Sequence, residues 1–141
     1  MKVGVKMEYR DYEKLIEIAK EARENAYAPY SNFKVGACVL TEDGNIYKGC
    51  NIENASFGLT VCAERVAMFN AYSGGERKLK AIAVVADTDG PVSPCGACRQ
   101  VMMELGGEDM VVILSNMKGD HAIMTVKDLL PGAFTSKDME K

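Results

Sequence analysis

Residues 81–86 read AIAVVA, an unbroken apolar run between Lys80 and Asp87. A strand sends successive side chains to opposite faces, so a run without polar members has to be covered on both. A chain with such a strand needs helices on two sides of its sheet. Over 9–26, Tyr12, Leu15, Ile16, Ile18, Ala19 and Ala22 recur at helical spacing, with charges opposite and Pro29 beyond. Helices are also predicted over 62–72, closed by Gly74-Gly75, and over 96–105, followed by Gly106-Gly107. A short one covers 126–130, ahead of Pro131. Runs at 35–40 and 46–51 flank Glu42-Asp43-Gly44-Asn45, a hairpin signal. VVIL (111–114) adds a strand and 123–125 a fifth. A hairpin followed by alternating helices and strands predicts an α/β fold: one domain over 1–141, with a mixed five-stranded sheet between helices on both faces.

Charge narrows the partners. Seventeen basic and 20 acidic residues leave a net charge of -3, with no basic cluster. Polynucleotide binding rests on lysine and arginine meeting phosphates, so such a substrate is not expected. No stretch approaches the ~20 apolar residues of a membrane span. The opening MKVGVKMEYRDYEK lacks the apolar run of a secretory leader, which predicts a cytoplasmic protein. There the five cysteines are free thiols or metal ligands.

Cys95 and Cys98 form a C-x-x-C after Pro94. As half of a zinc site it needs further ligands. Cys38 and Cys50 lie in the hairpin strands, where a free cysteine acts as a small apolar residue. His121 falls in a turn-like segment with no ligand beside it. Cys62 differs, because like Cys95 it opens a predicted helix. Unpaired N–H groups at a helix start favour thiolate. Two such helices side by side aim Cys62, Cys95 and Cys98 at one point. Three protein ligands and a water make a catalytic zinc site. Glu64, at the irregular first turn, then faces the water as a proton carrier. Arg65, three residues from Cys62, can donate to a ligand sulfur and offset the excess charge of three thiolates around Zn²⁺. A structural zinc, a redox dithiol and a zinc-stabilised interaction module remain alternatives. So do surface roles for Arg65 and Arg99, turn roles for Asn51 and Glu53, and core roles for Phe33, Phe57 and Phe134.

Four phrases narrow these alternatives. YSNFKVGA (30–37), NIENASFGLTVCAER (51–65), DTDGPVSPCGACRQ (87–100) and LLPGAF (129–134) fall in order and span nearly the whole chain. They resemble the small homotetrameric zinc-dependent cytidine deaminases of nucleoside salvage; CAE and PCGAC match the paired signature of zinc deaminases. The resemblance implies a cytidine-deaminase-like three-layer α/β/α sandwich. It implies one Zn²⁺ per subunit on Cys62, Cys95 and Cys98, with Glu64 as catalytic proton shuttle. Asn51 and Glu53 hold the ribose 3′-hydroxyl, Phe33 packs on the base, and Phe134 closes over it. The backbone of Ala63 and Ser93 meets the pyrimidine's polar edge. Pockets are shared between subunits through Phe57, where many relatives have Tyr, and Phe134. The implied reaction is hydrolytic deamination of free cytidine and 2′-deoxycytidine to uridine and 2′-deoxyuridine, with ammonia released. Zinc-bound hydroxide attacks C4 while Glu64 moves protons. Blasticidin-type deaminases look similar, but N-x-E-N-A and C-A-E-R fit the nucleoside branch better. A tRNA or nucleotide deaminase typically has His as first ligand.

Overall fold

A computed structural model describes residues 9–140; most of the segment read for a leader lies outside them. The chain forms α1 (Tyr9–Arg23), β1 (Val35–Thr41), β2 (Ile46–Cys50), α2 (Ala63–Ser73), β3 (Leu79–Ala86), α3 (Gly96–Gly106), β4 (Val111–Asn116), β5 (His121–Thr125) and α4 (Val126–Leu129). The strands make one sheet in the order β2-β1-β3-β4-β5. Only the β3–β4 pair is parallel. The mixed five-stranded sheet with helices on both faces is the one the residue pattern predicts.

β3 shows why the AIAVVA run is apolar throughout. Ala81, Ala83 and Val85 pack with Leu15, Ile16 and Ala19 of α1 on one face. Ile82, Val84 and Ala86 pack with Met68 of α2 and Met102 of α3 on the other. Cys38 faces α1, where its thiol donates to the Leu15 carbonyl at 3.1 Å. Burial pushes its pKa up to about 12, as suits a core cysteine.

Two glycines set how closely helices meet the hairpin. A side chain at Gly36 would come within 2.0 Å of the Ala19 carbonyl in α1. One at Gly49 would come within 2.4 Å of the Ala67 nitrogen and 2.7 Å of the Ala63 carbonyl in α2. Neither helix can approach so closely over any residue with a Cβ.

Local departures from expectation have simple causes. α1 stops at Arg23, and Tyr27 instead donates its N–H to the Asn51 carbonyl at 3.0 Å. His121 is the first residue of β5, paired in register with Ser115, because β4 runs on through Asn116. Met68, Met102 and Met110 fill core, whereas Met117 and Met139 are exposed. No helix among the described residues is long and apolar enough to cross a membrane.

Candidate active site

Val35 pairs with Ala86, so the start of β1 and the end of β3 meet at one edge of the sheet. Functional loops of open α/β sheets gather beyond such strand ends. Here the loops after β2 and β3 lead into α2 and α3, and each helix begins immediately after a cysteine. Cys62 and Cys95 are the N-cap residues, with extended backbones and no side-chain cap hydrogen bond. A Ser or Asp there would satisfy the first N–H groups. A cysteine leaves the positive helix end turned toward sulfur.

The Cys62, Cys95 and Cys98 sulfurs all lie within 4.8 Å of one another, with Cys62 and Cys95 3.9 Å apart. Tetrahedral zinc with bonds of about 2.3 Å places its sulfurs about 3.8 Å apart, so the cluster fits a zinc ion. Without a cation the three thiols cannot all ionise. The Cys62 pKa falls to about 5, chiefly through a hydrogen bond from the Cys98 thiol, with Arg65 and Cys95 adding to it. That bond, together with burial, pushes Cys98 up. A coordinated metal instead deprotonates its thiols outright.

Glu64, in the first turn of α2, is only 4% exposed. Burial raises its pKa, and the nearby Cys62 charge works the same way. Glu64 is therefore not a solvated first-turn acid. Arg65 donates from Nη2 to the Cys62 sulfur and to the Thr60 carbonyl, both at 3.5 Å.

Cys62 and Cys95 open onto a cavity of about 180 Å³, walled also by Phe33, Val35, Asn51, Thr60, Ala63, Glu64, Val92 and Ser93, with Cys98 buried behind them. Thr60 also lines a neighbouring cavity of about 330 Å³ with Tyr30, Ser31, Glu53 and Phe57. The first holds the acid with the Cys62 and Cys95 thiols, and the second holds the Ser31 and Thr60 hydroxyls and the Glu53 carboxylate.

Asn51 and Glu53 are more than turn residues. Asn51 accepts from the Val35 N–H at 2.9 Å and donates to the Phe33 carbonyl at 2.8 Å. Its amide nitrogen carries a second hydrogen beyond that bond. Glu53 Oε1 accepts from the Tyr30 and Ser31 N–H groups at 2.9 and 3.1 Å, and Oε2 accepts the Ser31 hydroxyl. The Ser31 hydroxyl is the main reason the Glu53 pKa lies below the usual carboxylate range. Both side chains thus hold the 30–35 loop that carries Phe33. Asn32 in that loop has φ 58°, a left-handed conformation that Asn tolerates better than most residues.

Core roles for the three phenylalanines are overturned: Phe33, Phe57 and Phe134 are all exposed. Phe33 lines the cavity with Cys62 and Cys95. Phe57 makes an edge-to-face contact with Tyr30, ring centres 6.4 Å apart. Phe134 belongs to neither cavity wall. Nothing in the residues alone points Thr60, Ser31 or Arg99 to the site. Ser31 and Thr60 sit inside the quoted phrases, yet a lone hydroxyl carries no spacing signal. Cys50 is half-buried and stands apart from the cluster.

Residues 9–114 match the family described as the cytidine and deoxycytidylate deaminase zinc-binding region. A cytidine deaminase of Sporosarcina psychrophila is 60% identical over 92% of this chain and 95% of its own length. One of Halalkalibacterium halodurans is also 60% identical, over 92% of this chain and 98% of its own. The crystal structure of cytidine deaminase from Burkholderia pseudomallei superposes with a TM-score of 0.86 at 57% identity, covering 91% of this chain and 100% of that one.

Proposed function

This chain belongs to the cytidine and deoxycytidylate deaminase family, and from that premise we propose that it hydrolyses cytidine and 2′-deoxycytidine to uridine and 2′-deoxyuridine, releasing ammonia, as a step of pyrimidine salvage. One observation carries the reading: a buried Glu64 carboxyl beside three convergent sulfurs at two helix N-termini.

Cys62, Cys95 and Cys98 would hold one Zn²⁺ per subunit, and zinc so held acidifies a water until a nucleophile exists near neutral pH. Glu64 accepts a proton from the water and delivers it to N3 of the base as the oxygen adds to C4. It then carries the second proton to the exocyclic nitrogen, the C4–N bond breaks, and ammonia leaves. Burial suits Glu64 to this task, because it disfavours the charged carboxylate and so favours proton uptake. Arg65 draws electron density from the Cys62 sulfur, which keeps a site with three thiolates acidic enough.

Phe33 packs on the base, and the backbone of Ala63 and Ser93 meets its polar edge. The remaining Asn51 N–H and a remaining Glu53 lone pair serve the ribose 3′-hydroxyl as donor and acceptor. The family's tetrameric assembly gives Phe57 and Phe134 a place in a neighbour's pocket. Exposed Tyr27, Tyr30, Ile52 and Leu59 supply apolar surface for such contacts. The enzyme is a single catalytic domain acting on free nucleosides in the cytoplasm.

An ammonia-release assay on cytidine, deoxycytidine, CMP and blasticidin S, with zinc content measured alongside, tests this. Turnover of the first two with one zinc per chain is expected. Zinc without turnover of any nucleoside would point to a zinc-stabilised interaction module.

A further inference from the structure

Arg99 follows Cys98 in the first turn of α3, and its guanidinium makes three hydrogen bonds. Nε donates to the Pro94 carbonyl at 2.9 Å, Nη2 to the Ser93 hydroxyl at 2.7 Å, and Nη1 to the Leu129 carbonyl at 2.8 Å. Two acceptors lie in the loop entering Cys95, and the third ends α4. Gln100 donates to the Phe134 carbonyl at 2.9 Å, so adjacent α3 side chains hold the C-terminal segment at two points.

The far end of the 87–94 loop is fastened separately. Asn116 is fully buried and donates from Nδ2 to the Thr88 and Asp89 carbonyls at 2.9 and 3.0 Å. Its Oδ1 accepts from the Lys118 and Asp120 N–H groups at 3.0 and 2.9 Å. Ser93 lies between the two anchors, in the cavity wall with Val92 and Cys95. Arg99 engages its hydroxyl and so holds Ser93 at that wall.

We propose that Arg99 is a positioning residue for the deamination. It fixes the Ser93 backbone against the reacting base and ties that wall to the C-terminal segment. The inference rests on the deaminase reading. A planar fork with five donors can span three acceptors in fixed directions, whereas a lysine ammonium offers a point charge on a flexible stem. Groups that orient an active site through its immediate neighbours typically contribute about 10- to 100-fold in activity.

The test compares wild type with R99K, R99M, S93A and the R99K/S93A double variant. Readouts are zinc content, melting temperature, kcat and KM on cytidine, and affinity for a nucleoside with a tetrahedral hydroxyl-bearing C4. The expected result is zinc content like wild type in R99K, with kcat lower by about 10- to 100-fold. KM should change far less, and affinity for the tetrahedral analogue should fall in step with kcat/KM. S93A, which keeps the carbonyl, should lose less than R99K, and the double variant should lose less than the product of the two single losses. An unchanged kcat per bound zinc in R99K, or a loss tracking only melting temperature and zinc content, would overturn the proposal. R99K and S93A decide the matter if R99M does not fold. Failure of wild type to form uridine would instead count against the deaminase reading itself.

Discussion

The Cys62 and Cys95 sulfurs lie 3.9 Å apart although 33 residues separate them, each at the N-cap of its own helix. Their helices approach only because the loops after β2 and β3 end at the same sheet edge.

That convergence predicts a thiol accessibility pattern. With zinc bound, Cys62, Cys95 and Cys98 should resist alkylation. Cys38 should resist whether or not metal is present, since burial pushes its pKa up to about 12. After chelation Cys62 should react first, because hydrogen bonding lowers its pKa to about 5. Peptide mass spectrometry after brief alkylation checks the order. Equal labelling of Cys62 before and after chelation would contradict it.

Glu64→Gln should retain zinc and lose about 10²- to 10⁴-fold in turnover. The same substitution should stabilise the metal-free protein at neutral pH. Burial raises the folded-state pKa of Glu64, so the folded protein binds the proton more tightly than the unfolded chain does. Its ionised form therefore lowers stability as pH rises above the unfolded value of about 4.3 and costs nothing below it. Melting temperatures of metal-free wild type and E64Q should separate in E64Q's favour as pH rises and converge in acid.

Gly49→Ala should reduce activity beyond its effect on stability. Its new methyl would press on the Ala63 carbonyl and Ala67 nitrogen, at the end of α2 that carries the site. Gly36→Ala meets a comparable clash with α1, on the opposite face. Both should destabilise by roughly 1–3 kcal/mol. Turnover per folded, zinc-loaded molecule should drop only in G49A.

Asn32→Gly should be nearly neutral, since glycine adopts the left-handed φ of 58° without strain. Asn32→Val places a β-branched residue there and should raise KM by moving the loop that carries Phe33. Equal KM values for the two variants would remove Asn32 from the account.

Much of this was legible in the residues. Binary patterning fixed the sheet and its helices, and C-x-x-C with C-A-E marked the three-cysteine cluster because helix starts and ligand spacing are local signals. Pairings across long sequence separations were not legible. Arg99 reaching Leu129, Ser31 meeting Glu53 and Asn51 bracing Phe33 with Val35 all depend on tertiary placement. Phe33, Phe57 and Phe134 illustrate the opposite error. Composition alone would bury large aromatic rings, whereas these lie at loops and chain ends where the sheet offers no cover.

The most direct test of the central claim is the oxygen label in uridine formed from cytidine in heavy-oxygen water by zinc-loaded enzyme. The account predicts uridine carrying the heavy oxygen at C4 from wild type, and almost none formed by E64Q. Unlabelled uridine, no uridine from zinc-loaded wild type, or undiminished formation by E64Q would contradict it.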